Sequence, residues 1–126
     1  MENYYIEQTD QSPEVKFNLD GKFELNGIST PDHINRFYTP VFDWLKNYKD
    51  SSPKAIDFKM LINYLNTSST RILVELLVLV NSFKDNNVDV NLTWKYEDDD
   101  EDMLELGEEL ELAADIKFIF EAIPVD

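Results

Sequence analysis

Hydrophobic and polar residues alternate with a period of two near the start of the chain. Val15, Phe17 and Leu19, and then Phe23 and Leu25, are each separated by one residue. That period marks a strand with one buried face. Asp20-Gly21 stands between the two runs. Asp-Gly between alternating segments predicts a β-hairpin, here from Glu14–Leu19 and Lys22–Asn26, with Gly27 ending the second strand. Tyr4-Tyr5-Ile6-Glu7 is a short strand ahead of it.

The period then changes. Tyr38, Val41, Phe42, Leu45 and Tyr48 recur at helical spacing, behind a turn or helix entry at Ser29-Thr30-Pro31-Asp32. Pro40 has no N–H to donate, so it belongs in the first turn of that helix or kinks it. Asp50-Ser51-Ser52-Pro53 is the loop that follows. Ala55–Ile62 reads as a strand with Ile56, Phe58 and Met60 on one face, and its apolar character runs on to Leu65. The segment from Thr67 to Lys84 has the composition of a buried strand, but its length argues for a helix covered on most sides. Ile72, Leu73, Leu76, Leu77 and Val80 would face the sheet, and Asp85-Asn86-Asn87 would close it. Val88–Trp94 alternates cleanly as a strand. Met103, Leu106 and Leu110 keep helical spacing through an acidic stretch, which predicts a solvated amphipathic helix weakened at Gly107. Lys117–Ile123 is the last strand. Strands separated by helices form right-handed crossovers and parallel pairs. The prediction is a single α/β domain over residues 1–126, with a mixed β-sheet, an N-terminal hairpin and helices packed on it.

Composition narrows the chemistry. At 126 residues and 43% hydrophobic, the chain has enough apolar material for one core. It has no cysteine, which excludes disulfides, thiol catalysis and thiolate zinc sites. The net charge is −15, which disfavours nucleic acid and anionic membrane surfaces as partners. Met1–Tyr5 has neither a basic nor an apolar signal region. The apolar run Ile72–Val80 is broken by Glu75 and is well short of the roughly 20 residues of a membrane span. A cytoplasmic protein is expected.

Glu97–Glu111 holds ten acidic residues and no basic one, so −5 remains for the rest of the chain. The block Glu97–Asp102 lacks the ligand spacing and turn glycine of a calcium loop, so a solvated acidic surface is expected in place of a metal site. His33 is the only histidine, which leaves nucleophilic triads and histidine zinc sites without their partners. The three glycines are isolated, so no phosphate-cradling loop is present. No catalytic residue, metal or cofactor is expected.

One junction stands out. The strand-like run ending at Leu65 passes into Asn66-Thr67-Ser68-Ser69-Thr70-Arg71 before the long apolar helix begins. Asn66 or Thr67 can cap that helix. Three further hydroxyls exceed what a cap needs, and they cost a little helix propensity. A helix N-terminus also favours negative charge, including phosphate. Both readings, cap and phosphorylation site, stand at this point.

Tyr64-Leu65-Asn66-Thr67-Ser68-Ser69 resembles the hallmark of the SiaC family of bacterial regulatory phosphoproteins. Other segments agree in order and spacing: Thr9-x-x-Ser12-Pro13 with Glu14-Val15, Gly27-Ile28-Ser29 with Pro31-Asp32, Phe42-Asp43-Trp44-Leu45, and Trp94-Lys95-Tyr96-Glu97 ahead of Met103-Leu104-Glu105-x-Gly107-Glu108. The resemblance covers nearly the whole chain. It implies a STAS-like fold, similar to anti-sigma-factor antagonists, in which a hydroxyl at a helix start is phosphorylated by a Ser/Thr protein kinase and restored by a PP2C-type phosphatase. The family's phosphoacceptor falls on Thr67, and Leu65, Asn66, Thr67, Ser68, Ser69 and Arg71 would form the partner-binding segment. The unphosphorylated form is expected to bind and activate an effector, a GGDEF diguanylate cyclase. An alternative is a constitutive acidic adaptor that meets a basic partner through residues 97–111.

Overall fold

The computed structural model describes residues 1–125. Asp126, the end of the expected domain, lies outside the described residues. The chain folds around one six-stranded sheet whose spatial order follows the sequence: β1 (Tyr4–Ile6), β2 (Glu14–Phe17), β3 (Lys22–Ser29), β4 (Ala55–Leu65), β5 (Asp89–Glu97) and β6 (Ile119–Ile123). The first three strands are antiparallel and the last four parallel, so the sheet is mixed as expected. Each parallel step passes through a helix: α1 (Ile34–Asp50), α2 (Thr67–Asn81, with a 3₁₀ turn over Ser82–Asn86) and α3 (Glu101–Ala114). Right-handed crossovers between successive neighbours put all three helices on the same face.

That face carries the core. Phe23 and Leu25 of β3, Ile56, Phe58, Met60 and Ile62 of β4, and Leu92 and Trp94 of β5 are buried against the helices. Trp44 of α1 stacks on Tyr48 at 4.9 Å and meets Phe17 and Phe23 of the sheet. Leu73, Leu76, Leu77 and Val80 are the buried stripe of α2, as their spacing predicts, and Ile72 is half-buried. The alternate residues, such as Lys22, Glu24, Lys59 and Asn91, point to the uncovered face and are exposed.

Four expectations are corrected. The hairpin closes through three residues, Leu19-Asp20-Gly21. Asn18 N donates to Lys22 O at 3.1 Å, Gly21 N donates to Asn18 O at 2.9 Å, and Gly21 has φ +91°. This is a turn with a left-handed glycine bulge, so β2 stops at Phe17 and Leu19 is exposed. Gly27 does not end β3, which runs on to Ser29; its φ of +117° brings the strand against the Gln8 side chain instead. Of the two expectations for Pro40, the first-turn position is overturned: it is the seventh residue of α1, because the helix begins at Ile34, one turn before its first buried aromatic, Tyr38. Gly107 is not a weak point. It is where α3 closes on the sheet, and a Cβ there would lie 2.5 Å from Cδ1 of Trp94.

Candidate functional site

The hydroxyl cluster lies at the carboxyl edge of the parallel strands, and a slip in β4 sets its orientation. Gly27 of β3 pairs with Ile62, but Ile28 pairs with Tyr64. Asn63 is the extra residue of this bulge, and it inverts the alternation. Ile56, Phe58, Met60 and Ile62 point inward, and then Leu65, not Tyr64, is buried. Tyr64 is turned out to 53% exposure. Asn66 follows in extended conformation, and its N–H donates to Ser29 O at 3.2 Å.

Asn66 is the N-cap. Its Oδ1 accepts from Ser69 N at 2.8 Å, and its carbonyl accepts from Thr70 N at 2.9 Å. Of the two cap candidates, Asn66 therefore takes the role and Thr67 becomes the first helical residue. The four hydroxyls now separate. Ser69 is fully buried, with its Oγ 2.8 Å from Ser29 Oγ, which lies 2.6 Å from the Tyr38 hydroxyl. This chain of hydroxyls ties α2, β3 and α1 together beneath the junction. Burial pushes the Tyr38 phenol above its ordinary range, and the Ser29 hydrogen bond opposes that. Thr70 is half-buried and donates its hydroxyl to Asn66 O at 2.9 Å. Thr67 and Ser68 are exposed.

The expected partner-binding segment therefore divides. Asn66, Thr67, Ser68 and Arg71 offer side-chain surface, whereas Leu65 and Ser69 are buried and act by holding the others in place. Ser68 and Arg71 form one wall of a groove of about 220 Å³ between α1 and α2, which Ile34, Asn35, Ile72 and Glu75 complete. The first turn of α2 has no acidic residue of its own to oppose an added anion. The start of α3 is the opposite case. Asp100 caps it by accepting from Met103 N at 3.1 Å, and Glu101 and Asp102 occupy its first turn.

Sequence reasoning did not find Ser29 or Tyr38 as parts of this site. Ser29 had a weak signal, since its hydroxyl continues the buried face of Phe23 and Leu25. Thr9 and Ser12, which contributed to the resemblance, form a local turn: Thr9 Oγ1 accepts from Ser12 N at 2.9 Å, and Gln11 O accepts from Thr30 N at 2.8 Å. That turn braces the β3–α1 connection. His33 sits exposed just before α1 and gives the helix no side-chain cap. Among the described residues, no group of three or more His, Asp or Glu side chains is placed to hold a metal ion, and no helix is long and apolar enough to cross a membrane.

Comparison with known proteins converges on one group. The family model described as SiaC family regulatory phosphoprotein matches residues 6–125. An uncharacterised protein of Pseudomonas aeruginosa is 24% identical over 97% of this chain and 98% of its own length. The crystal structure of apo-SiaC from Pseudomonas aeruginosa matches with a TM-score of 0.86 at 24% identity, covering 97% of this chain and 100% of that one. The SiaC chain of a second crystal structure, diguanylate cyclase SiaD in complex with its activator SiaC from the same organism, matches with a TM-score of 0.85 at 24% identity, over 97% of this chain and 99% of that one.

Proposed function

From the premise that the chain belongs to the SiaC family of regulatory phosphoproteins, we propose that it is a cytoplasmic switch whose output is set by phosphate on Thr67. The family is regulatory, so the chain acts by binding and not by turnover. In this reading a Ser/Thr kinase adds the phosphate and a PP2C-type phosphatase removes it. The unmodified form binds and activates a GGDEF diguanylate cyclase, as the relative from Pseudomonas aeruginosa is an activator of the cyclase SiaD.

One observation narrows the phosphoacceptor to Thr67 and Ser68, and of these two exposed hydroxyls the family resemblance points to Thr67. Four consecutive hydroxyls begin α2, yet Ser69 is buried in hydrogen bonds to the core and Thr70 is bonded back to Asn66. Thr67 is the threonine left free, at the first helical position, where unpartnered N–H groups and the helix dipole favour a phosphate. Modification adds about −1.5 to −2 charge units without disturbing the fold. A partner packed over Thr67, Ser68 and Arg71 would have to bury that charge, which is costly because a single neighbouring cation does not neutralise it.

The test is to incubate the chain with the Ser/Thr kinase of its own cell, locate the phosphate by peptide mass spectrometry, and measure cyclase binding. Phosphate on Thr67 with loss of binding supports the switch. Phosphate elsewhere, or unchanged binding after modification, rejects it. Binding that ignores Thr67 but is lost when Glu105, Glu108 and Glu109 on the outer face of α3 are neutralised would support the acidic-adaptor reading instead.

A further inference from the structure

We propose that Arg71 is the internal counter-ion of a phosphate on Thr67, so that modification also withdraws a cationic side chain from the groove between α1 and α2. The inference deepens the Thr67 reading and rests on it. Arg71 is exposed and lies four residues after Thr67 on α2. Side chains four apart on a helix are neighbours, with about 5–6 Å between their Cβ atoms.

Arg71, like every described Lys and Arg but Lys95, makes no ion pair in the unmodified chain. The chain has 26 acidic residues against 11 basic ones, so most cations have a carboxylate to hand. Among the described residues, however, the one ion pair is Lys95–Glu121 on the uncovered face of the sheet, at 3.6 Å. Arg71 is not in it, although Glu75 stands one turn further along and lines the same groove. Arg71 and Glu75 also stand in the less favourable order along the helix. An acid placed four residues before a cation pairs better than one placed four residues after, because the dipole then favours both charges. Glu75 follows Arg71 and is the poorer partner. A phosphate on Thr67 would precede it, with up to twice the charge and oxygens that match the guanidinium fork. The groove has apolar parts in Ile34 and Ile72, with Arg71 as the cation of its α2 wall, and Asp43 and Lys46 of α1 line the adjoining stretch beside Glu75. Once the guanidinium is held by phosphate, a partner carboxylate that would meet it in the unmodified chain loses its counter-charge.

The experiment is a pH titration by phosphorus-31 NMR of chains made with phosphothreonine genetically encoded at position 67. The second phosphate ionisation ordinarily lies near about 6. An adjacent cation favours the dianion, so the pKa should be lower in the otherwise native chain than in Arg71→Ala. A gap of roughly half a unit is expected, since solvent exposure discounts the full effect of a close opposite charge. Arg71→Lys should fall between the two, and about 1 M salt should shrink the gap. Glu75→Gln should not raise the phosphate pKa. Superimposable titrations of the native chain and Arg71→Ala would overturn the proposal. If Arg71→Ala folds poorly by circular dichroism, Arg71→Gln keeps most of the stem and decides the same question. The phosphate is placed during synthesis, so a negative result rejects Arg71 alone. A kinase that ignores Thr67 would reject the switch and leave this titration unaffected.

Discussion

Gly107→Ala should destabilise the protein, although helix propensity alone predicts the reverse. Replacing glycine with alanine inside a helix gains about 1 kcal/mol. Here the new Cβ would lie 2.5 Å from Cδ1 and 2.6 Å from Nε1 of Trp94, and 3.0 Å from Cε1 of Phe120. Optimal carbon contacts lie at about 3.5–4.0 Å, so roughly an ångström must be found. Trp94 has little room to give. It is fully buried, packs on Phe118 at 5.5 Å and donates Nε1–H to Met103 O at 2.9 Å. Overpacking of this kind costs about 1–3 kcal/mol, and losing the indole hydrogen bond adds about 1. Set against the propensity gain, the net loss is about 1–3 kcal/mol. For a domain of this size that lowers the melting temperature by about 3 °C or more. Urea titration followed by tryptophan fluorescence measures it, with Glu108→Ala on the exposed side of α3 as a control near zero. A Gly107→Ala variant more stable than the parent would refute the packing argument.

Leu76→Ala and Leu77→Ala, which open the core beneath α2, should each cost about 2–5 kcal/mol, while exposed Arg71→Ala should cost well under 1 in the same thermal melts; leucine variants that melt like the parent would show that α2 is misplaced. Asn66→Ala removes the cap on Ser69 N and should cost about 1 kcal/mol, and Asn66→Asp should recover most of it; an unaffected urea midpoint in the alanine variant would deny Asn66 its role. Calorimetry with calcium, magnesium or manganese should show no saturable site tighter than about millimolar, because the acidic run is spent on capping and on an exposed helix face. A micromolar isotherm of fixed stoichiometry would contradict that.

Elements with a strong period were legible without the structure. The alternation around Asp20-Gly21 and the clean alternation of Val88–Trp94 became the strands their spacing implies, and the apolar segment after Thr67, ambiguous by composition, became the helix its length implies. What escaped depends on contacts between distant segments. Gly107 looks like a helix defect until Trp94, thirteen residues earlier, is seen to fill the space above it. Gly27 looks like a stop until its left-handed backbone is seen to let β3 continue past Gln8. The β4 bulge had a readable trace in the step from Ile62 to Leu65, where the even positions of the apolar face become odd. At the candidate site, residue types gave a cap at Asn66 or Thr67 without deciding between them, and Thr67 was singled out by the family resemblance. The burial of Ser69 was not legible, because its partners Ser29 and Tyr38 lie 40 and 31 residues away and a hydroxyl gives no sign of which way it faces.

In the proposed switch, phosphate on Thr67 decides partner binding. The most direct measurement compares the native chain, the chain with phosphothreonine at 67 and Thr67→Ala in titrations against the GGDEF diguanylate cyclase of the same cell, with cyclase turnover recorded in parallel. The native chain and Thr67→Ala should bind and activate the cyclase. The phosphorylated chain should keep its melting temperature and bind at least about tenfold more weakly, a loss of about 1.4 kcal/mol or more. Equal affinity and equal activation by the phosphorylated and unphosphorylated chains would contradict the account.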